Sequence, residues 1–216
     1  MSGLASAKRP IGIYGGSFDP VHLGHLRTAL EVSELLTLDR VHFLPSRLPP
    51  HREAPLADAD MRLQMLEAAV ADLDSFLVDQ RELKRSGESY TIDTLVSLRE
   101  ELPDRSLVMI VGMDAFLGLP NWHRAAELLD HAHVVVAHRP GWLPPRTGLI
   151  GEWLATHQTD DPAALATGTG KILVHPVTAL DISSTAIRDG IKAGSDPRFL
   201  VPESVRTILE QTRCYA

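Results

Sequence analysis

Short apolar runs at 11–14, 41–45, 76–79, 107–111, 134–137 and 172–175 alternate with longer stretches whose apolar positions recur every three or four residues. The short runs carry little polar relief, as strands buried on both faces do, and such strands belong to parallel sheets. In the stretches between, Leu23, Leu26, Leu30 and Leu35 share one helical face around Ala29, and 60–70 and 92–101 repeat that period. A helix is expected within 142–157, and another over 201–209 with Pro202 near its first turn. Segments 81–90, 112–122 and 158–170 read as polar links or loops, and 46–52 as a proline-stiffened loop. Strand and helix alternate throughout, which predicts an α/β fold: a Rossmann-like parallel sheet with helices on both faces. Residues 1–10 read as a disordered tail and 11–216 as a single domain.

Chemistry-bearing residues gather where these strands end. After the first strand, Gly15-Gly16 permits a tight turn and a close ligand approach, and Ser17-Phe18-Asp19-Pro20 completes the turn. The helix that follows starts near His22 and His25, three apart and so on one face. Unpaired N–H groups and the helix dipole make such an entrance an anion site, and two imidazoles can add donors to phosphate oxygens. Gly24, between them, leaves room for a nucleotide. Near the other end of the sequence, Ser183 or Ser184 caps a helix carrying Arg188 one turn further on, on the same face as Ser184. The planar guanidinium suits bidentate phosphate binding. Two other places lie at the same strand ends: His51 and Arg52, which alone read as bases on a surface loop or as phosphate contacts, and Gly112 with Asp114 and Trp122, a tryptophan that alone reads as packing or as a stacking contact. Ser89 or Thr91 caps a further helix, with Asp93 and Thr94 in its first turn.

Composition trims the alternatives. A net charge of −7 argues against a general nucleic-acid surface. No apolar run approaches the roughly 18 residues of a membrane span, and the first residues lack the apolar core of a signal peptide. The only cysteine, Cys214, gives no disulfide framework and suits a reducing cytoplasm. The 10 histidines are scattered and show no metal-site pattern beyond His22 and His25, so no protein-held metal is expected.

The run Gly15-Gly16-Ser17-Phe18-Asp19-Pro20, followed by His22-Leu23-Gly24-His25, resembles the signature of the HxGH nucleotidyltransferases. Joined in order to 46–52, Tyr90-Thr91-Ile92-Asp93-Thr94-Leu95, Gly112-Met113-Asp114, Leu119-Pro120-Asn121-Trp122 and 182–188, it resembles nicotinate-nucleotide adenylyltransferases over about residues 11–205. That resemblance implies adenylyl transfer from ATP to nicotinate mononucleotide in NAD synthesis, with Mg²⁺. It implies that His22, His25 and Arg188 act on the ATP phosphates together with Ser184. Gly15, Gly16, Ser17, Phe18, Ser183 and Thr185 would line the nucleotide. His51 and Arg52 would lie near the acceptor's phosphate, and Thr91, Gly112, Asp114 and Trp122 near its nicotinate end, with Trp122 stacking. Ser17 replaces the family's common Thr and Arg52 its common Lys, each keeping the hydroxyl or the charge. Rival readings are an enzyme of the same superfamily acting on nicotinamide mononucleotide or phosphopantetheine, and a non-catalytic nucleotide sensor. Thr91 and Trp122 count against phosphopantetheine but discriminate poorly between the acid and the amide. A sensor would be expected to lose His22, His25 or Arg188, and all three are present.

Overall fold

The computed structural model describes residues 8–47, 54–138 and 145–216. Six parallel strands form one sheet: β1 (Ile11–Gly16), β2 (Arg40–Pro45), β3 (Phe76–Val78), β4 (Leu107–Gly112), β5 (His133–His138) and β6 (Ile172–Pro176). Their spatial order is β3-β2-β1-β4-β5-β6. The helices are α1 (Leu23–Leu36), α2 (Ala59–Val70), α3 (Arg81–Lys84), α4 (Thr91–Glu101), α5 (Met113–Gly118), α6 (Leu128–His131), α7 (Gly148–His157), α8 (Ser184–Lys192) and α9 (Glu203–Thr212).

Period-two alternation within each strand sorts the core into two layers. Val41, Phe43, Val108, Ile110, Val135 and Leu173 face one way, against α1, α2, α8 and α9 through Ala29, Val32, Met65, Leu66, Ile187, Val205 and Leu209. Their strand neighbours Ile11, Ile13, Leu107, Met109, Val134, Val136 and Ile172 face the other way, against α4 to α7 through Ile92, Leu95, Phe116, Leu128 and Trp153. Helices therefore cover both faces, as the continuous apolar runs require. Gly12, in the middle of β1, is needed for packing: a Cβ there would stand 2.8 Å from Leu38 Cδ1.

The strand order reverses direction between β1 and β4, and there the two strands part. β1 pairs with β2 from Ile11 through Gly16, but with β4 only through Ile13 opposite Met109. Beyond that point β4 continues in register with β5 to Gly112. The separation opens a crevice at the carboxyl ends of the strands, the position where open α/β sheets take ligands.

Local expectations need four corrections. Gly15 and Gly16 are the last paired residues of β1, opposite Leu44 and Pro45, and the left-handed residue of the turn is Phe18, at φ 48°. Segment 112–122 is mostly helical, because Gly112 opens α5 directly off β4. The link 81–90 contains α3, whose Glu82 is buried. The N-cap of α4 is Tyr90, which makes no side-chain cap, and Ser89 Oγ instead accepts from the Arg47 amide at 3.0 Å. Of the expected tail, Arg9 donates to the carbonyls of Thr37 and Leu38, and the Pro10 carbonyl accepts from the Asp39 amide. Among the described residues no helix is long and apolar enough to cross a membrane.

Candidate active site

Two segments more than 160 residues apart in sequence meet at the β1 edge. Ser184 Oγ donates to the Pro20 carbonyl at 2.9 Å, and Arg188 Nη1 donates to the Asp19 carbonyl at 2.7 Å. The entrance of α8 is thereby docked on the turn that leads into α1. Ser183 is the N-cap of α8, its side chain accepting from the Ala186 amide. Ile187 anchors the helix in the core, which leaves Ser183 and Thr185 exposed and Arg188 half-buried.

His22 is the N-cap of α1, with extended backbone. Its ring stacks on that of His25, with centroids 3.6 Å apart and planes 23° from parallel. The His22 amide donates to His25 Nδ1 at 3.3 Å. Burial pushes the His22 imidazolium pKa down to about 4, so at neutral pH the ring is uncharged and donates from a neutral N–H. The guanidinium of Arg188, docked beside it, brings positive charge to the site. Among the described residues, three buried side-chain polar atoms lack a hydrogen-bond partner, and two of them are His22 Nδ1 and Arg188 Nε. Buried polar atoms are rarely left so, and two falling in one place mark a spot with unused binding capacity.

Gly24 has a different purpose from the one its sequence position suggests. A Cβ there would lie 3.1 Å from both Cε1 and Nδ1 of His22, so the missing side chain makes room for the imidazole. Phe18 also departs from expectation. Its ring is buried against Tyr14, Phe43 and His25, so only its backbone can face a ligand. At Gly15 a Cβ would meet nothing within 4 Å, which leaves the strand end open to approach. The first α1 amide, that of Leu23, is satisfied by the Leu200 carbonyl at 2.9 Å and is not available to an anion.

Beneath the turn lies a buried polar hub that the sequence pattern does not announce. Asp19 is 3% exposed, and its carboxylate accepts from the amides of Leu56 and Ala57 and from the Tyr215 hydroxyl. Arg62, 1% exposed, donates to the carbonyls of Ser17, Ser46 and Ala57. Every hydrogen bond needed to hold the bend is thus made inside the protein, as buried polar groups require. Asp19 has three donors of its own, and no group of three or more His, Cys, Asp or Glu among the described residues is placed to hold a metal ion.

Across the crevice, Thr91 is the first residue of α4, Gly112 ends β4, and Asp114 is exposed in the first turn of α5. Trp122 is half-buried, packed on the α4–α7 layer. Tyr90 and His123, the neighbours of Thr91 and Trp122, bring these positions together, with ring centroids 4.3 Å apart. His51 and Arg52 lie outside the described residues.

The glycine-edged end of β1, the two stacked histidines and the docked arginine helix thus meet at one strand end. The cytidylyltransferase-like family model matches residues 13–190. A probable nicotinate-nucleotide adenylyltransferase of Aeromonas hydrophila is 47% identical over 209 residues, spanning 96% of this chain and 98% of its own length. One from Methylococcus capsulatus is 47% identical over 208 residues, spanning 95% and 99%. The chain belongs to the nicotinate-nucleotide adenylyltransferase family. Its fold is shared with the Plasmodium falciparum nicotinic acid mononucleotide adenylyltransferase solved in complex with NaAD, at a TM-score of 0.73 and 16% identity over 96% of this chain and 97% of that one.

Proposed function

We propose that the protein transfers the adenylyl group of ATP to nicotinate mononucleotide, giving nicotinate adenine dinucleotide and pyrophosphate in NAD synthesis. The observation that carries this reading is the docking of Ser184 and Arg188 on the Asp19–Pro20 turn, which puts α8 beside His22 and His25 at the sheet's ligand edge. We assign His22, His25 and Arg188 to the ATP phosphates. Gly15, Gly16, Ser17, Ser183, Ser184 and Thr185 line the nucleotide, and Phe18 contributes backbone only. Thr91, Gly112, Asp114 and Trp122 receive the acceptor, with His51 and Arg52 toward its phosphate.

The chemistry asks little of a base. The acceptor's phosphate, with a second pKa near 6, is largely ionised at neutral pH. One of its oxygens attacks the α-phosphorus of ATP as the bond to the β-phosphate oxygen breaks, and pyrophosphate leaves with that electron pair. Catalysis then consists of aligning two polyanions and stabilising the charge that spreads over the α-phosphoryl oxygens. Arg188 supplies fixed positive charge, and the histidines supply donors held in place by their stacking. Mg²⁺ brought in with ATP would supply further neutralising charge at the phosphates, and no described residue of this chain is assigned to hold it. We place the reaction in the cytoplasm, on one domain that includes both motifs, with no nucleic-acid or membrane partner.

Pyrophosphate release with ATP and Mg²⁺ tests the reading, with nicotinate mononucleotide, nicotinamide mononucleotide and phosphopantetheine compared as acceptors. The expected result is a strong preference for nicotinate mononucleotide. A preference for another acceptor would overturn the pocket assignment, and ATP binding without release to any acceptor would make the protein a nucleotide sensor.

A further inference from the structure

We propose that Tyr215 is a positioning residue for nucleotide transfer, acting through Asp19 on Arg188. The segment after α9 reaches a long way to make this contact. Arg213 and Tyr215 both adopt left-handed backbone, with φ 51° and 73°. Residues other than glycine hold that conformation only where surrounding contacts fix it. Here the fixing contact is a 2.5 Å hydrogen bond from the Tyr215 hydroxyl to Asp19 Oδ1, between residues 196 apart in sequence. α9 itself is moored independently: Ser204 Oγ donates to the Ala68 carbonyl, Arg206 donates to Asp196, and Val205 and Leu209 are buried in the core. The Tyr215 contact is therefore additional to what secures the helix.

Its consequence runs through the turn. Asp19 faces Arg188 in two ways. Its carbonyl accepts from Nη1 at 2.7 Å, and its carboxylate Oδ2 stands 3.6 Å from the same nitrogen. Arg188 Nη2 reaches Thr185 Oγ1 at 3.3 Å, and Nε is left without a partner. While three donors engage the carboxylate, two on Oδ1 and one on Oδ2, it holds Arg188 only at long range. With the phenol hydroxyl gone, Oδ1 loses the shorter of its two hydrogen bonds and keeps only the Ala57 amide, and the less satisfied carboxylate competes with ATP phosphates for the guanidinium. Charge-assisted pairs of this kind are the stronger hydrogen bonds, and because Arg188 is the group assigned to the ATP phosphates, the competition falls on ATP rather than on the acceptor. Tyr215 touches no reacting atom, and its effect is on where the arginine points.

The inference rests on the adenylyl-transfer reading for its meaning, but its test has a binding readout that does not. Tyr215→Phe keeps the ring and its packing, and Ser204→Ala removes one bond from the same helix without touching Asp19. MgATP affinity is measured by calorimetry on the full chain, with thermal melts, and KM for ATP and for nicotinate mononucleotide by pyrophosphate release. Tyr215→Phe is expected to weaken MgATP binding about tenfold and raise KM for ATP, with KM for nicotinate mononucleotide within twofold of the parent. Ser204→Ala is expected to lower the melting temperature and leave MgATP affinity unchanged. MgATP affinity within twofold of the parent in Tyr215→Phe overturns the inference, as does equal weakening in Ser204→Ala. A parent enzyme that binds MgATP but releases no pyrophosphate overturns the functional reading, while the affinity comparison still decides the role of Tyr215.

Discussion

The two banks of the crevice are built differently. On the β1 bank, His22, His25, Ser184 and Arg188 stand on a turn whose own polar groups are held by Asp19, Arg62, Tyr215 and the 56–57 backbone, while His22 Nδ1 and Arg188 Nε stay without a partner. On the β4 bank, Thr91, Asp114 and Trp122 sit on helix entrances and a short turn, joined across by the Tyr90–His123 ring contact. The polar support there is thinner. Glu82, whose carboxyl is pushed upward by burial, accepts from Thr94 Oγ1, and Ser89 accepts from the Arg47 amide. The contrast matches two physical tasks. Stabilising a phosphoryl transition state depends on donors fixed before the reaction, since reorganisation at the moment of transfer costs rate. Selecting an acceptor ring depends on shape and stacking, which a half-buried tryptophan on a helix–turn junction can supply.

Substitutions can break this comparison from either side. The largest expected effect is on stability: Arg62→Met leaves the carbonyls of Ser17, Ser46 and Ala57 without their donor and takes from Asp19 one of the two cations near it. A loss of about 3–5 kcal/mol is expected in denaturant unfolding, the range for breaking buried charged networks. Next, His22→Ala is expected to lower kcat by roughly 10²–10³, as removal of one preorganised donor does, with KM for nicotinate mononucleotide little changed. Steady-state pyrophosphate release checks it, and normal turnover would remove His22 from the chemistry.

The same histidine has a signature in acid. Its folded pKa of about 4 lies below the ordinary 6.5, so between those values the unfolded chain binds more protons than the folded one. Stability is therefore full above about pH 6.5 and declines as pH falls toward 4, by an amount of order 3 kcal/mol. His22→Gln should flatten that limb of the stability curve. Asp79 acts in a lower window. Burial alone would raise its pKa, but hydrogen bonds from His42 and Arg81 bring it down to about 2, so its contribution is lost only below the usual carboxylate range. An unchanged limb between pH 6.5 and 4 in His22→Gln would contradict a neutral buried ring.

Smaller effects sharpen the division. Trp122→Ala is expected to raise KM for nicotinate mononucleotide about tenfold, the scale of one lost stacking contact, and to leave ATP affinity alone. Gly24→Ala should separate activity from stability. Alanine favours a helix by up to about 1 kcal/mol over glycine. Its Cβ, however, would press on a His22 ring already buried and stacked on His25. A melting temperature that holds or rises, with kcat down about tenfold, is the expected result.

Much of this was readable before the fold was known. The six apolar runs became the six strands, and the Gly15–His25 and Ser183–Arg188 segments, recognisable by spacing and by resemblance, do meet. The hub did not show itself. Arg62 lies between Met61 and Leu63 in a helical pattern, where an arginine ordinarily marks a solvated face. Only the tertiary position of α2, under the turn, makes it a buried donor. Asp19 reads as a turn former and the pattern does not single out Tyr215, because the contact between them spans nearly the whole chain. Segment 112–122 read as a loop for its glycines and proline, yet Phe116 and Leu119 are fully buried and draw it into helical turns. The purpose of Gly24 likewise depends on where one ring packs.

The most direct test of a transfer made by positioning alone is the stereochemical course with ATP chirally thiolated at the α-phosphorus. One in-line attack by the acceptor's phosphate inverts that centre, and inversion in the dinucleotide product is the predicted result. Retention would require two displacements through an adenylylated side chain, with His22 or His25 as the first to suspect, and would contradict the reading of these residues as fixed donors around a direct transfer.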